Sequence, residues 1–226
     1  AAAEAAVHPG FPDAAAVLIV ELDGPGAEVA ARFEEVVAIC RARQATHLEI
    51  AADEAQRARI WKGRKAAFAA MGRISPNYYV QDGVVPRSKL SEVLHRIADL
   101  ERRSGLRIAN VFHAGDGNLH PLICYDAAVP GQTEHAAAVA SEILTYCLEA
   151  GGSLTGEHGI GVDKACSMPK MFSADDLSAM QRVRRALDPA MLCNPGKVFP
   201  TPRLCGEAPG PYRPHPVERA GLAERL

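Results

Sequence analysis

The sequence predicts an α+β fold, a ferredoxin-like antiparallel sheet with helices on one face and further helices toward the C-terminus. Three observations predict it. Apolar runs of strand length alternate with stretches whose apolar residues recur at helical spacing. The stretch 107–125 reads as strand, tight reversal, strand. The long helical stretch behind it stops at Gly151-Gly152, so repeated strand and helix pairs end in a hairpin and a covering helix.

Taken in order, residues 1–13 are expected to be a domain-junction remnant, and residues 14–199 a single domain. Residues 16–22 read as a strand, 28–43 as an amphipathic helix, and 47–51 as a short strand. Asp53 begins a helix running to about residue 71. Residues 78–85 read as a strand, after which Pro86 and Ser88 introduce a helix to about Arg103. Residues 107–112 form a strand that delivers His113. The stretch 114–118 has turn chemistry, and the returning strand 119–125 carries His120 near its start. Helices follow over 133–150, 163–166 and 174–187, the last ending before Asp188-Pro189. Six prolines crowd the stretch from Pro200 to Pro216, which predicts an extended tail over 200–226 with no catalytic part.

Composition bounds the possibilities. With 226 residues and 48% hydrophobic content, the chain can bury a substantial core. A net charge of -2 and dispersed basic residues give no field that would gather nucleic acid. No apolar run approaches the roughly 20 residues needed to span a bilayer, and the alanine-rich start lacks the pattern of a signal peptide. The six cysteines contain no C-x-x-C pair. They are expected to be free thiols, mostly buried, in a reducing cytoplasmic setting, with Cys193 the one to watch.

The chemistry concentrates in His113-Ala-Gly-Asp-Gly-Asn-Leu-His120 and Gly156-Glu-His-Gly-Ile-Gly161. Glycine at these positions lets the backbone turn tightly and lets a ligand approach. Imidazole nitrogens and carboxylate oxygens are ligands for a divalent metal such as Zn, Mn or Fe, and three of them leave positions open for substrate. The expected set is His113, His120 and Glu157, with His158 beside it for proton transfer. A continuous helix would hold the two histidines about 10 Å apart, whereas a hairpin brings both rings to one end of a sheet. Asp116 and Asn118 are expected to orient the imidazoles from behind, unless Asp116 simply stabilises the turn. His8, His47, His95, His135 and His215 read as ordinary surface or packing residues.

These two motifs, with Leu187-Asp-Pro-Ala-Met-Leu-Cys-Asn-Pro-Gly-Lys197, resemble the C-terminal half of FAD-linked 2-hydroxyacid oxidoreductases of the vanillyl-alcohol-oxidase superfamily. Within it the chain is similar to the glycolate oxidase flavin subunit and D-lactate dehydrogenase branch, over roughly residues 16–199. The resemblance implies a substrate or cap domain, with most FAD contacts made by an N-terminal FAD domain outside these 226 residues. It implies oxidation of a small 2-hydroxy acid to the 2-oxo acid. His158 would take the hydroxyl proton, Arg64 would bind the substrate carboxylate, and Asn194 would reach the flavin. Taken alone, Lys62, Arg64 and Lys65 read as a solvated helix face; the resemblance is what singles out Arg64. The stretch Tyr79-Val-Gln-Asp-Gly-Val-Val-Pro86 resembles the family's strand entering the active site, without the lysine of hydroxyglutarate-type members. Other oxidase subunits, including an iron-sulfur subunit, are the implied partners, with peripheral attachment to the inner membrane through them. The surface around Arg64, His158 and Asn194 is expected to be an open concavity, and the chain alone to bind no FAD and turn nothing over.

Two other classes of protein fit part of the pattern. A flavin-independent metallohydrolase could use the same His/His/Glu set to activate water. A non-catalytic ferredoxin-like binding module would need no three-ligand site.

Overall fold

The structure is a computed structural model that describes residues 1–200. The tail expected over 200–226 lies, from residue 201 on, outside the described residues, as do Cys205 and His215. The fold is α+β, with helices and a four-stranded antiparallel sheet. The chain forms two compact units, Ala1–Asn77 and the part from Tyr78 on. No helix among the described residues is long and apolar enough to cross a membrane.

The first unit holds three helices, α1 (Ala2–Val7), α2 (Gly26–Ala42) and α3 (Glu54–Ala70). The Asp53 carboxylate caps α3 by accepting from the backbone N–H of Gln56 at 2.8 Å, which satisfies one of the donors a helix start leaves unpaired. α1 turns into residues 9–11, where Glu4 accepts from the N–H groups of Gly10 and Phe11. Gly63 on α3 admits this segment closely, since a Cβ there would meet the Phe11 ring at 2.6 Å. The strands expected over 16–22 and 47–51 do not form. Their apolar runs find no strand to pair with, and Leu18 and Ile50 stay exposed at 67% and 54%. A strand needs a neighbour to take up its backbone donors and acceptors.

The second unit carries the sheet, beginning with β1 (Asn77–Val80) and β2 (Gly83–Val84). The helix α4 (Leu90–Ser104) leads to the hairpin β3 (Ile108–His113) and β4 (Asn118–Tyr125), which α5 (Gln132–Glu149) follows. β4 is central, with β3 on one side and β1 and β2 in succession on the other. Ser153, just beyond α5, bridges Val84 antiparallel. The order is that of a split βαβ unit, its last strand reduced to one bridge.

The single strand expected over 78–85 is broken at Gln81–Asp82. Gln81 keeps its backbone bond to β4 through Pro121, but the Asp82 N–H is taken by the Gln81 side chain at 3.0 Å. Asp82 therefore leaves the ladder.

Helices α4 and α5 cover one face of the sheet. Val93, Ile97 and Leu100 recur on α4 at helical spacing, and Ala136, Val139, Ala140, Ile143 and Cys147 do so on α5. They pack on Ile108, Leu119 and Ile123. Alternation along a strand sends neighbours of these residues to the opposite face, so His113, Asn118 and His120 turn away from the helix-covered core. A smaller cluster of Leu144, Leu154 and Met168 anchors α6 (Met168–Met171) and α7 (Ala174–Leu187). The helix expected over 163–166 is instead a 3-10 turn at Ala165–Ser167 running into α6.

Cys40, Cys124, Cys147 and Cys193 are free thiols, with Cys193 exposed. Cys166 departs from the expectation of free thiols and is disulfide-bonded. Cross-linking depends on two α-carbons approaching to roughly 4.4–6.8 Å, which cysteine spacing in the sequence does not show.

Candidate active site

The hairpin register builds the first half of the site. His113 pairs with Asn118 and Val111 with His120, which places the two imidazoles diagonally on one face. Their ring centroids are 5.6 Å apart, edge to face. Gly117 makes the reversal possible. It sits at φ +70°, and a Cβ there would lie 2.0 Å from the Val85 carbonyl oxygen, a position no other residue type fits. The Asp116 N–H donates to the His113 carbonyl at 3.1 Å, so its backbone closes the turn.

The loop after α5 supplies the second half. The His120 Nε2 lies 2.6 Å from Glu157 Oε1, and the His158 ring stacks on His120 with centroids 5.0 Å apart. Ligand-type atoms of His113, His120 and Glu157 all fall within 4.8 Å of one another. His120 is buried, while the Glu157 and His158 side chains are about half exposed. Burial pushes the His120 pKa down, against the opposing pull of Glu157 and Asp82. Burial thus favours the neutral ring, the form that binds metals.

The donor set fits a divalent cation by its chemistry, two imidazoles and one carboxylate converging on a common point. The Asn118 Oδ1 adds to the fit: it is buried and has no hydrogen-bond partner among the described residues. A pocket of about 350 Å³ opens here between His113, Asp116, Asn118, Gly156 and Glu157. A second pocket of about 170 Å³ is lined by Tyr79, Gln81, His158 and Lys164 among others.

Sequence reasoning gave no role to the residue that holds this loop. The Asp82 carboxylate is fully buried, and its Oδ2 accepts from the Thr155 hydroxyl at 2.5 Å. The same oxygen accepts from the backbone N–H groups of Gly156, Glu157 and His158 at 2.9, 3.2 and 3.0 Å. Successive N–H groups wrapped on one anion make a nest. Lys164 donates to the Asp82 carbonyl at 2.7 Å and lies 3.5 Å from Oδ2. Burial alone would raise the Asp82 pKa, but the Thr155 hydroxyl, the His158 and Gly156 N–H groups and Lys164 outweigh it and bring it to about 2. Lys164 itself is pushed down by its burial, which exceeds the pull of Asp82. The one available signal was a carboxylate inside an apolar strand-like run, where aspartate is disfavoured.

The remaining expected residues are Arg64 and Asn194. Arg64 is on α3 in the first unit, with its guanidinium carbon 5.8 Å from the Phe68 ring centroid. Asn194, at φ +46°, follows α7. Its carbonyl accepts from Arg184, and its side-chain oxygen accepts from Lys197 at 3.3 Å.

An antiparallel sheet with an imidazole and carboxylate cluster on the face away from α4 and α5 defines an α+β domain. The chain belongs to the family described as FAD linked oxidases, C-terminal domain, whose model matches residues 1–198. It is 49% identical over 207 residues to the glycolate oxidase subunit GlcD of Escherichia coli strain K12, covering 91% of this chain and 42% of that protein. It is 34% identical to the Bacillus subtilis GlcD, over 84% of this chain and 41% of that one. Against the mitochondrial D-lactate dehydrogenase (cytochrome) of Kluyveromyces lactis the identity is 32%, over 74% of this chain and 30% of the relative. The chain thus spans less than half the length of these curated relatives.

Proposed function

We propose that this chain is the substrate- and metal-binding part of a FAD-dependent oxidoreductase that converts a small 2-hydroxy acid of glycolate or D-lactate type to the 2-oxo acid. The convergence of His113, His120 and Glu157, with His158 stacked beside them, carries the reading.

His113, His120 and Glu157 would hold a divalent metal, which as a Lewis acid would lower the pKa of the substrate hydroxyl. When bound, FAD supplies the acceptor for the hydride equivalent that leaves the substrate Cα. His158 is the group that takes the hydroxyl proton. Its ring lies against His120 and remains partly open to solvent, so the proton has a route away. The pocket between His113, Asn118 and Glu157 receives the substrate oxygens, and Asn118 orients them through its buried amide. Arg64 as carboxylate anchor and Asn194 as flavin contact rest on the sequence resemblance. An N-terminal FAD domain and further oxidase subunits, one of them an iron-sulfur protein, complete the proposed assembly. GlcD being called a subunit supports the second of these.

The test is made on the full-length protein. Glycolate and D-lactate are added anaerobically and flavin absorbance is followed, before and after removal of metal by chelation. Bleaching by one of the acids that chelation abolishes and Zn2+, Mn2+ or Fe2+ restores is the expected result. Bleaching that survives complete metal removal would overturn the metal's part, and no bleaching by any short 2-hydroxy acid would overturn the reaction.

A further inference from the structure

We infer that Asp82 is a positioning residue for both halves of the site: its Oδ2 fixes the loop that carries Glu157 and His158, while its Oδ1 holds His120 as the Nδ1–H tautomer. The inference rests on the metal reading above and adds to it the residue that sets which nitrogen of His120 is offered to the ion.

Two observations carry it. The Asp82 Oδ1 is buried and has no hydrogen-bond partner among the described residues, a costly state for a carboxylate oxygen. It also faces the His120 ring, 3.9 Å from Nδ1. On the far side of the same ring, Nε2 lies 2.6 Å from Glu157. A neutral imidazole has one N–H and one lone pair, and an ionised carboxylate only accepts. Both flanking carboxylates only accept, but Glu157 is about half exposed and water can serve it, whereas the Asp82 Oδ1 is buried with no other donor among the described residues. The N–H therefore belongs on the Asp82 side, which leaves the Nε2 lone pair on the side where Glu157 and His113 converge. A shift of about 1 Å would close the 3.9 Å gap to the roughly 2.7–2.9 Å of a charge-assisted bond. A carboxylate behind a ligating histidine fixes its tautomer and raises its basicity.

Asp82 can do both only because the strand is broken at its position. Its N–H is taken by Gln81 and its carbonyl by Lys164, which frees the side chain to lie between the sheet and the loop. A simple loop anchor would need Oδ2 alone. The tautomer role separates the two.

The experiment uses the full-length protein labelled with 15N-histidine and stripped of metal, with the His120 signals assigned by their loss in His120→Gln. Long-range 1H–15N spectra then report which ring nitrogen carries the proton, and Zn2+ titration reports affinity. The unsubstituted protein is expected to show His120 as Nδ1–H. In Asp82→Asn the amide oxygen must still face the loop N–H groups, so its NH2 points at His120. This reverses the tautomer to Nε2–H and weakens Zn2+ binding by about 10–100-fold. Thr155→Val, which loosens the loop and leaves Oδ1 in place, should keep the Nδ1–H tautomer.

An Nε2–H tautomer in the unsubstituted protein overturns the inference, even if Asp82→Asn fails to fold. So does an Asp82→Asn protein with unchanged tautomer and affinity. A protein that binds no Zn2+ but shows the tautomer reversal would remove the metal reading while leaving the Asp82 to His120 relationship standing.

Discussion

His113 and His120 stand edge to face with ring centroids 5.6 Å apart, although two glycines and a change of strand direction separate them in sequence. Their meeting is a product of register, since a one-residue slip of β4 against β3 would send His120 to the helix-covered face. The site is therefore as specific as the hairpin that carries it.

Gly117→Ala tests that dependence. The backbone at φ +70° and the Val85 carbonyl 2.0 Å from a Cβ leave no room, so the substitution should destabilise the protein by more than about 1 kcal/mol and weaken Zn2+ binding with it. Urea unfolding and metal titration read the two effects. Normal stability together with normal binding would show that the reversal is more tolerant than its geometry implies.

His158 and Glu157 are adjacent but are expected to fail in different ways. In the full-length protein His158→Ala should slow flavin reduction by roughly 100-fold or more with metal content nearly normal. Glu157→Ala should lose metal first, its affinity falling by more than roughly 100-fold. Metal analysis beside anaerobic flavin reduction separates the two, and a His158→Ala protein that reduces flavin at the normal rate would remove His158 from proton transfer.

Asp82 predicts a particular acid sensitivity. Its folded pKa of about 2 lies below the roughly 3.9 of an unperturbed aspartate. The group therefore contributes stability above about pH 4, on the order of 2 kcal/mol, and this is lost as pH falls toward 2. With chelator present, the stability difference between the unsubstituted protein and Asp82→Asn should shrink as pH is lowered through that window. A difference that stays constant from pH 7 to 2.5 would mean that Asp82 is not held as an anion.

Ser173 provides a control that is not itself part of the cluster. It caps α7 in a reciprocal box with Asp176, so Ser173→Ala should cost about 1 kcal/mol of stability and leave Zn2+ affinity unchanged. A parallel loss of metal binding would show that the site is not insulated from α7.

Much of this architecture was legible because it follows local rules. The hairpin announced itself through turn residues between apolar runs, and α4, α5 and α7 through helical spacing and their stop signals. The cluster of His113, His120 and Glu157 could be named because ligand-type side chains crowded short glycine-flanked segments. Residues 16–22 and 47–51 misled because an apolar run looks the same whether or not a neighbouring strand exists to receive it. Asp82 went unnoticed for the opposite reason. Its partners are backbone N–H groups, which every residue has, and they lie 74 to 76 positions away.

That separation bears on how the protein comes together. The hairpin brings both imidazoles into place by closing a short turn, an event of low contact order that can occur early in folding. The Thr155–His158 loop can reach Asp82 only after α4, the hairpin and α5 have packed, because an interval of more than 70 residues must close first. The carboxylate half of the site is thus the last to assemble and the first to open under stress. Amide exchange at Gly156 and His158 would report that opening before the sheet itself loosens. A fold damaged far from the cluster would then release its ligand while still looking intact.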